Sequence, residues 1–208
     1  MKRILLVLLL PCSVSAGAQS FQQNDNVIAA GAAFGVFNSD SKDGTTGQTD
    51  NGDAASRIYT LSYERGITGW LGLGAAVNYG LYFTSADSAG SVEPDVHSVE
   101  FLALANAHFA KGEKADFFAS AGLGYSMFEY EFNTAPPNDN FIKGGGFAYD
   151  LRLHARFYLG ESPVALGVNF GFAGYDYNAL EDKNGSTLDL ALRGPVFGAT
   201  LAYRLRQE

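Results

Sequence analysis

The sequence predicts an all-β chain, an eight-stranded antiparallel up-and-down transmembrane β-barrel, and three observations carry that reading. From Leu71 to Phe83 every second residue is Leu71, Leu73, Ala75, Val77, Tyr79, Leu81 and Phe83, with Gly72, Gly74, Ala76, Asn78, Gly80 and Tyr82 between them. A period of two gives two distinct faces only in an extended strand. The pattern recurs eight times, with long polar segments and short turns alternating between the copies. After the first residues, no stretch approaches the roughly 18 consecutive apolar residues of a membrane-spanning helix.

The N-terminus reads as a removable signal peptide over residues 1–18. Lys2 and Arg3 precede the apolar run Ile4–Leu10, and Ala16-Gly17-Ala18 offers a small-residue cleavage site before Gln19. A lipoprotein box at Leu9-Leu10-Pro11-Cys12 is the minor alternative, and the proline before Cys12 fits it poorly. Cys12 is the one cysteine, so residues 19–208 hold none and form no disulfide framework. They suffice for one domain of about 190 residues.

The first strand runs Val27–Phe37, with Ile28, Ala30, Ala32, Phe34 and Val36 on one face, and a polar segment follows over 38–56. The second, Arg57–Arg65, sets Tyr59, Leu61 and Tyr63 against Thr60, Ser62 and Glu64; Gly66–Gly69 turns into the third, Leu71–Phe83. After a polar segment over 84–96, the fourth runs His97–Phe109 and turns at Lys111–Lys114. The fifth covers 116–128, and the segment 133–145 holds Pro136-Pro137 and leads into Gly144-Gly145-Gly146. The sixth sets Phe147, Tyr149, Leu151, Leu153, Ala155, Phe157 and Leu159 against Asp150, Arg152, His154, Arg156 and Tyr158. Gly160–Pro163 turns into the seventh, from Val164 to about Tyr175; polar residues 178–188 precede the eighth, which ends near Leu205. Pro195 cannot donate to a ladder, which places it near a bulge or the strand's outer end.

Four long connections alternating with three short turns fit a barrel whose ends and turns share one side. Each predicted strand is near the roughly 9–11 residues needed to cross hydrocarbon at a tilt. Mean hydropathy near zero suits a barrel, whose lumen residues cancel its lipid-facing ones. The 16 Phe and 11 Tyr suit membrane interfaces, and candidates for aromatic girdles are Tyr59, Tyr63, Trp70, Tyr79, Phe83, Phe109, Phe117, Tyr125, Phe147, Tyr149, Phe157 and Tyr203. Trp70 has inward parity, which gives a turn-packing role equal weight. A net charge of −8 without a basic patch argues against nucleic-acid binding.

Strand six decides which face meets lipid. An Arg facing lipid at mid-depth costs roughly 2–4 kcal/mol, so Arg152 and Arg156 point inward, toward Glu64, Glu100 or Asp150. The opposite face is too bulky for a bore that barely holds its own side chains. A soluble lipocalin-like binder, with its apolar face inward, is therefore the weak runner-up. The predicted lumen network is Glu64, Glu100, His108, Asp150, Arg152, His154, Arg156 and Arg204. A plugging ion-pair network is the favoured role, and a narrow ion or proton path the alternative.

Gly198-Ala199-Thr200-Leu201-Ala202-Tyr203 resembles the C-terminal assembly signal of bacterial outer-membrane proteins, with Gly198, Leu201 and Tyr203 at the signal positions. Everything after residue 20 resembles the outer membrane protein A/X-like eight-stranded barrels, a porin-like family of the Gram-negative cell envelope. The resemblance implies secretion through the inner membrane, insertion by the barrel assembly machinery, contact with outer-membrane lipid and lipopolysaccharide, and a role in envelope integrity or surface adhesion. The chain is then expected to be monomeric and non-catalytic, with no cofactor and no metal, and to meet extracellular partners through 38–56, 84–96, 133–145 and 178–188.

Rival readings are a lipid A acyl-modifying enzyme and a small pore. Glu93, Asp95 and His97 alternate and suggest a metal site, or acyl chemistry with Ser88, Ser91 or Ser98. No local motif fixes a base–nucleophile pair, and an ordinary solvated loop is favoured. Asp40, Asp43, Asp50 and Asp53 hint at calcium without EF-hand spacing.

Overall fold

A computed structural model describes residues 21–83, 95–133, 139–160 and 162–205. The expected signal peptide and Cys12 lie outside the described residues. The strands are β1 (Asn26–Asp43), β2 (Thr49–Gly66), β3 (Leu71–Phe83), β4 (Asp95–Lys111), β5 (Ala115–Asn133), β6 (Asp139–Tyr158), β7 (Val164–Asp182) and β8 (Thr187–Leu205). Each pairs antiparallel with its sequence neighbour, and β1 pairs with β8 to close the barrel. Closure is what lipid demands, because an open sheet edge would leave backbone N–H and C=O groups without partners.

Alternation sends apolar side chains outward. In β6, Leu151 and Leu153 are 55% and 59% exposed while the intervening Arg152 is 8% exposed. The outward apolar run spans Ile28–Val36 in β1 and Phe147–Phe157 in β6, close to the roughly 9–11 residues that cross hydrocarbon. Tyr63, Phe117, Phe157 and Tyr203 ring the end that carries the short turns, and Tyr79, Phe83, Tyr125 and Phe147 ring the other; all eight are exposed. Trp70 also belongs to the outer surface. Its ring is exposed, while its backbone ties into the turn, donating to Thr68 Oγ1 and accepting from the His108 N–H.

The strands overshoot the membrane, which corrects the predicted long loops. Residues 38–56 are mostly ladder, from Asn38↔Asp53 to Lys42↔Thr49, leaving only a turn over 44–48. Residues 178–188 reduce to a turn between Asp182 and Thr187, and 133–145 contributes Asn133 to β5 and Asp139 onward to β6. Asp95 and Val96 of the 84–96 segment belong to β4, and residues 84–94 lie outside the described residues. The physical reason is common to all. Above the apolar band the outward positions, such as Asn38, Asp40 and Lys42, meet water, so their polarity reports the solvent and not the end of pairing.

The irregularities are local. The Gly144-Gly145-Gly146 run marks a register shift between β6 and β7 rather than a strand start, a second shift lies between Tyr177 and Leu180, and a third at His108/Ala110. Pro195 occupies neither a bulge nor an outer end. It pairs with Phe172 of β7 while the β1–β8 ladder lapses between Gly35↔Val196 and Asn38↔Arg193, where a missing N–H leaves no donor unsatisfied. Two inward glycines clear space for charged neighbours. A side chain at Gly72 would strike Glu64, and one at Gly171 would approach Arg152 Cα at 2.6 Å.

Asp43 ends β1 beyond the membrane and holds the first outer turn. The backbone N–H groups of Thr46 and Thr45 donate to its carboxylate at 2.7 and 2.8 Å, and these bonds, Thr46 first, hold its carboxyl below the ordinary value. A lowered folded value means that this support is complete above the ordinary carboxylate range and is lost as pH falls through the folded value. The Thr45 and Thr46 amide resonances are therefore expected to lose their hydrogen-bonded shifts on acidification, and Asp43→Ala to show the acid-like shifts at neutral pH. The facing of the wall makes a second prediction. Leu153→Arg lowers stability by about 2–4 kcal/mol, read by urea unfolding in vesicles, whereas Asp53→Ser, above the band, changes it by less than about 0.5 kcal/mol.

Candidate functional site: the sealed lumen

The inward faces fill the bore in two zones. The inner zone, toward the short turns, is a quartet of buried charges. His108 of β4 places Nε2 2.8 Å from Glu64 Oε1 of β2 and Nδ1 2.8 Å from Asp116 Oδ1 of β5. Arg156 of β6 reaches Glu64 at 3.4 Å and Asp116 at 3.5 Å. A neutral imidazole carries one N–H, so a ring held between two ionised carboxylates is an imidazolium. Two cations then balance two anions, which is the condition for burying them together.

Aromatic rings enclose the quartet. Phe21, fully buried, stacks on His108 with centroids 3.6 Å apart and planes at 6°. Phe118 stacks on His154 at 4.5 Å, lies 4.8 Å from His108, and carries the Arg156 guanidinium over its face at 4.7 Å. The segment bearing Phe21 is anchored by Asn24 N–H to Gly66 O and Gly66 N–H to Asp25 O. Asp25 also approaches Arg204 at 3.9 Å, and Arg204 covers the Tyr158 ring.

Toward mid-lumen, Arg152 donates through Nε to Asp150 at 2.8 Å and through Nη1 to Asn169 at 3.3 Å. Above it, Glu100 accepts from Asn78 at 2.9 Å and from the Ser98 hydroxyl at 3.2 Å. The outer zone is aromatic. Phe37, Tyr82, Phe128, Tyr175 and Tyr177 are buried and interlock with ring centroids 5.1–6.2 Å apart. Their hydroxyls are served from within: Tyr82 by Ser98, Tyr177 by Ser126 at 2.8 Å, Tyr175 by Glu100. The expected polar side chains fill the inner and middle bore, and aromatic rings close its outer part.

All eight predicted lumen residues point inward, in four places. Glu64, His108 and Arg156 form one site; Asp150 and Arg152 pair, with His154 between the two groups; Glu100 stands apart with Asn78 and Ser98; and Arg204 lies at the inner mouth. Asp116, Asn78, Asn106, Asn169 and Phe118 were not counted in the network, although each lies within a predicted strand at an inward position of its alternation. Phe21 and Asp25 lie outside the alternating segments and gave no signal. Gly198, Leu201 and Tyr203 sit on β8, with Leu201 and Tyr203 facing outward and exposed.

The proposed acyl pair does not assemble at Ser98. His97 faces out, 3.8 Å from Glu129, while Ser98 faces the bore; Glu93, Ser88 and Ser91 lie outside the described residues. No group of three or more His, Cys, Asp or Glu able to hold a metal occurs among the described residues.

No family model matches the chain, and no curated protein matches it. Solved structures do. The outer membrane protein OprG from Pseudomonas aeruginosa superposes with a TM-score of 0.58 at 13% identity, covering 92% of this chain and all of its own. Neisserial surface protein A gives 0.50 at 13% identity, covering 86% and 97%. The chain therefore has the fold of the small outer-membrane β-barrels, closed, up-and-down and antiparallel.

The quartet's balance is testable. Arg156→Met leaves an uncompensated buried negative charge and is expected to cost about 3–5 kcal/mol, read as the urea midpoint in vesicles. Adding Glu64→Gln, which restores one anion to one cation, recovers most of that loss.

Proposed function

We propose that this chain is a monomeric bacterial outer-membrane barrel with a structural role in the envelope or a surface-interaction role, and that it performs no catalysis. One observation carries the reading: an apolar outer band encloses a bore sealed by Phe21 and the charge quartet at one end and by the aromatic cluster at the other. A sealed bore gives solutes no route, so the outer wall and the projecting strand ends are left to act. The outer wall meets lipid and lipopolysaccharide. The wall above the band, with the turns at 44–48 and 183–186, supplies the surface for an extracellular partner.

The likeness to outer-membrane barrels supports the location, and the outward Leu201 and Tyr203 suit recognition of β8 by the assembly machinery during insertion. In this reading the barrel reaches the outer membrane after secretion through the inner membrane. The expected behaviour is a boiling-dependent shift in gel migration of the membrane fraction, protease cleavage of the outer turns in intact cells, increased detergent sensitivity of cells lacking the protein, and unchanged lipid A acylation. Altered acylation would replace this role with the enzymatic one, and recovery of the chain as a soluble periplasmic species would remove the membrane reading altogether.

A further inference from the structure

Between the two seals the lumen contains two cavities, of about 60 and 50 Å³. They adjoin. Ser62, Ser120, His154 and Thr200 line both. Asn78 lines the first and Asn106 the second, and both are more than nine-tenths buried. The two asparagines are arranged alike. Asn78 donates its amide N–H to Glu100, and Asn106 hydrogen-bonds Glu64. Each amide is thereby fixed in orientation, and Oδ1 of each has no protein partner. A buried acceptor left without a donor is destabilising, so two at adjoining cavities specify what those cavities take.

The chemistry selects the occupant. Orphaned acceptors call for a hydrogen-bond donor, which excludes an anion. Arg152 lines the first cavity beside Asp150, and Arg156 the second beside Glu64, so the charges are already matched and a neutral occupant suits both better than a metal cation. The volumes suit only small occupants, since a water needs roughly 10–15 Å³ of such space and each cavity holds a few. Water donates twice and accepts twice, which suits Oδ1, the Ser62, Ser120 and Thr200 hydroxyls and the His154 ring together.

We propose that the two cavities form one internal water site, threaded past the His154 ring, that carries protons but no other ions between Asp150, which lines the first cavity, and Glu64, which lines the second. His154 is the titratable side chain that borders both cavities, and its ring stacks on Phe118 at 4.5 Å. Each hop forms one N–H or O–H bond and breaks another, the electron pair staying on the donor atom. One ring nitrogen takes up a proton as the other releases one, so the ring stays neutral, and a ring flip or a hop in the reverse direction restores the starting tautomer. The inference goes beyond the sealed-barrel reading and rests on it for the exclusion of ions.

The test uses the full chain in lipid nanodiscs, labelled with ¹⁵N at its 3 histidines. His108 is an internal control, buried and clamped by two carboxylates beneath Phe21. The His154 ring N–H is expected to exchange with water at least roughly tenfold faster than that of His108. Ser120→Leu, which fills the junction, is expected to slow it by a similar factor, with the heat-modifiable gel band intact. If Ser120→Leu does not fold, Thr200→Val, which removes a hydroxyl at nearly constant volume, is expected to slow it as well. His154 exchanging as slowly as His108, or unchanged in the folded variant, overturns the water site. A steady K⁺ or Cl⁻ current through the wild-type barrel in planar bilayers overturns the exclusion of ions and the sealed-barrel reading with it, whatever the exchange rates show.

Discussion

The structure depends on the closing seam between β1 and β8. It runs from Asn26↔Leu205 at one end to Asp43↔Leu188 at the other, and without it two strands would present bare backbone to hydrocarbon. Once the ring is closed, each side chain has one of two destinations, lipid or bore. The narrow bore then dictates the inward residues: glycine where a neighbour's long side chain crosses, as at Gly72 and Gly171, and a paired charge or an aromatic ring elsewhere. The seam's one lapse falls at Pro195, a residue with no N–H to leave stranded.

The two zones of the bore obey different rules. Rings fill the outer zone at little electrostatic cost, provided each tyrosine hydroxyl finds a partner, and Ser98, Ser126 and Glu100 supply them. The inner zone holds ionised groups surrounded by lipid-facing wall, and charges in such a place persist only when balanced and hydrogen-bonded. Glu64, Asp116, His108 and Arg156 balance as a set, with His108 hydrogen-bonded to both carboxylates and Arg156 ion-paired with both, and removing any one leaves a remainder that no neighbour neutralises. The stacked rings of Phe21 and Phe118 then keep bulk water from dissolving the pairs.

Much of this was legible in the alternation. The period of two assigned faces to strand residues, and the position of Arg152 and Arg156 opposite Leu151 and Leu153 distinguished bore from lipid. Two parts were not legible. Asn38–Asp43 and Ala179–Asp182 look like loop because above the membrane both faces meet polar surroundings or solvent, and the apolar alternation that marks a strand fades while the ladder continues. The partnerships across the bore were also hidden. Glu64 and Arg156 are 92 residues apart in sequence, and which carboxylate meets which cation depends on the stagger of strands around the ring, which no single strand encodes. Phe21 is hidden further still, since its packing depends on the path of a segment outside any strand.

The quartet is better understood as a register device than as a source of stability. A buried ion pair contributes little relative to apolar residues of the same volume, and the aromatic cluster shows that this bore accepts apolar filling. What an apolar filling lacks is intolerance of slippage. In β6, moving by one residue would carry Arg152 and Arg156 to the lipid face, at roughly 2–4 kcal/mol each at mid-depth, and would bring Ala155 or Phe157 against Glu64 and Asp116. Direct pairing of Asp116 with Arg156 fixes β6 against β5, and the reach from Arg156 to Glu64 fixes it against β2 across the bore. Gly-rich inner faces specify register weakly on their own, because glycine has no side chain to misplace. The charges therefore stand where the sheet would otherwise be most free to slide.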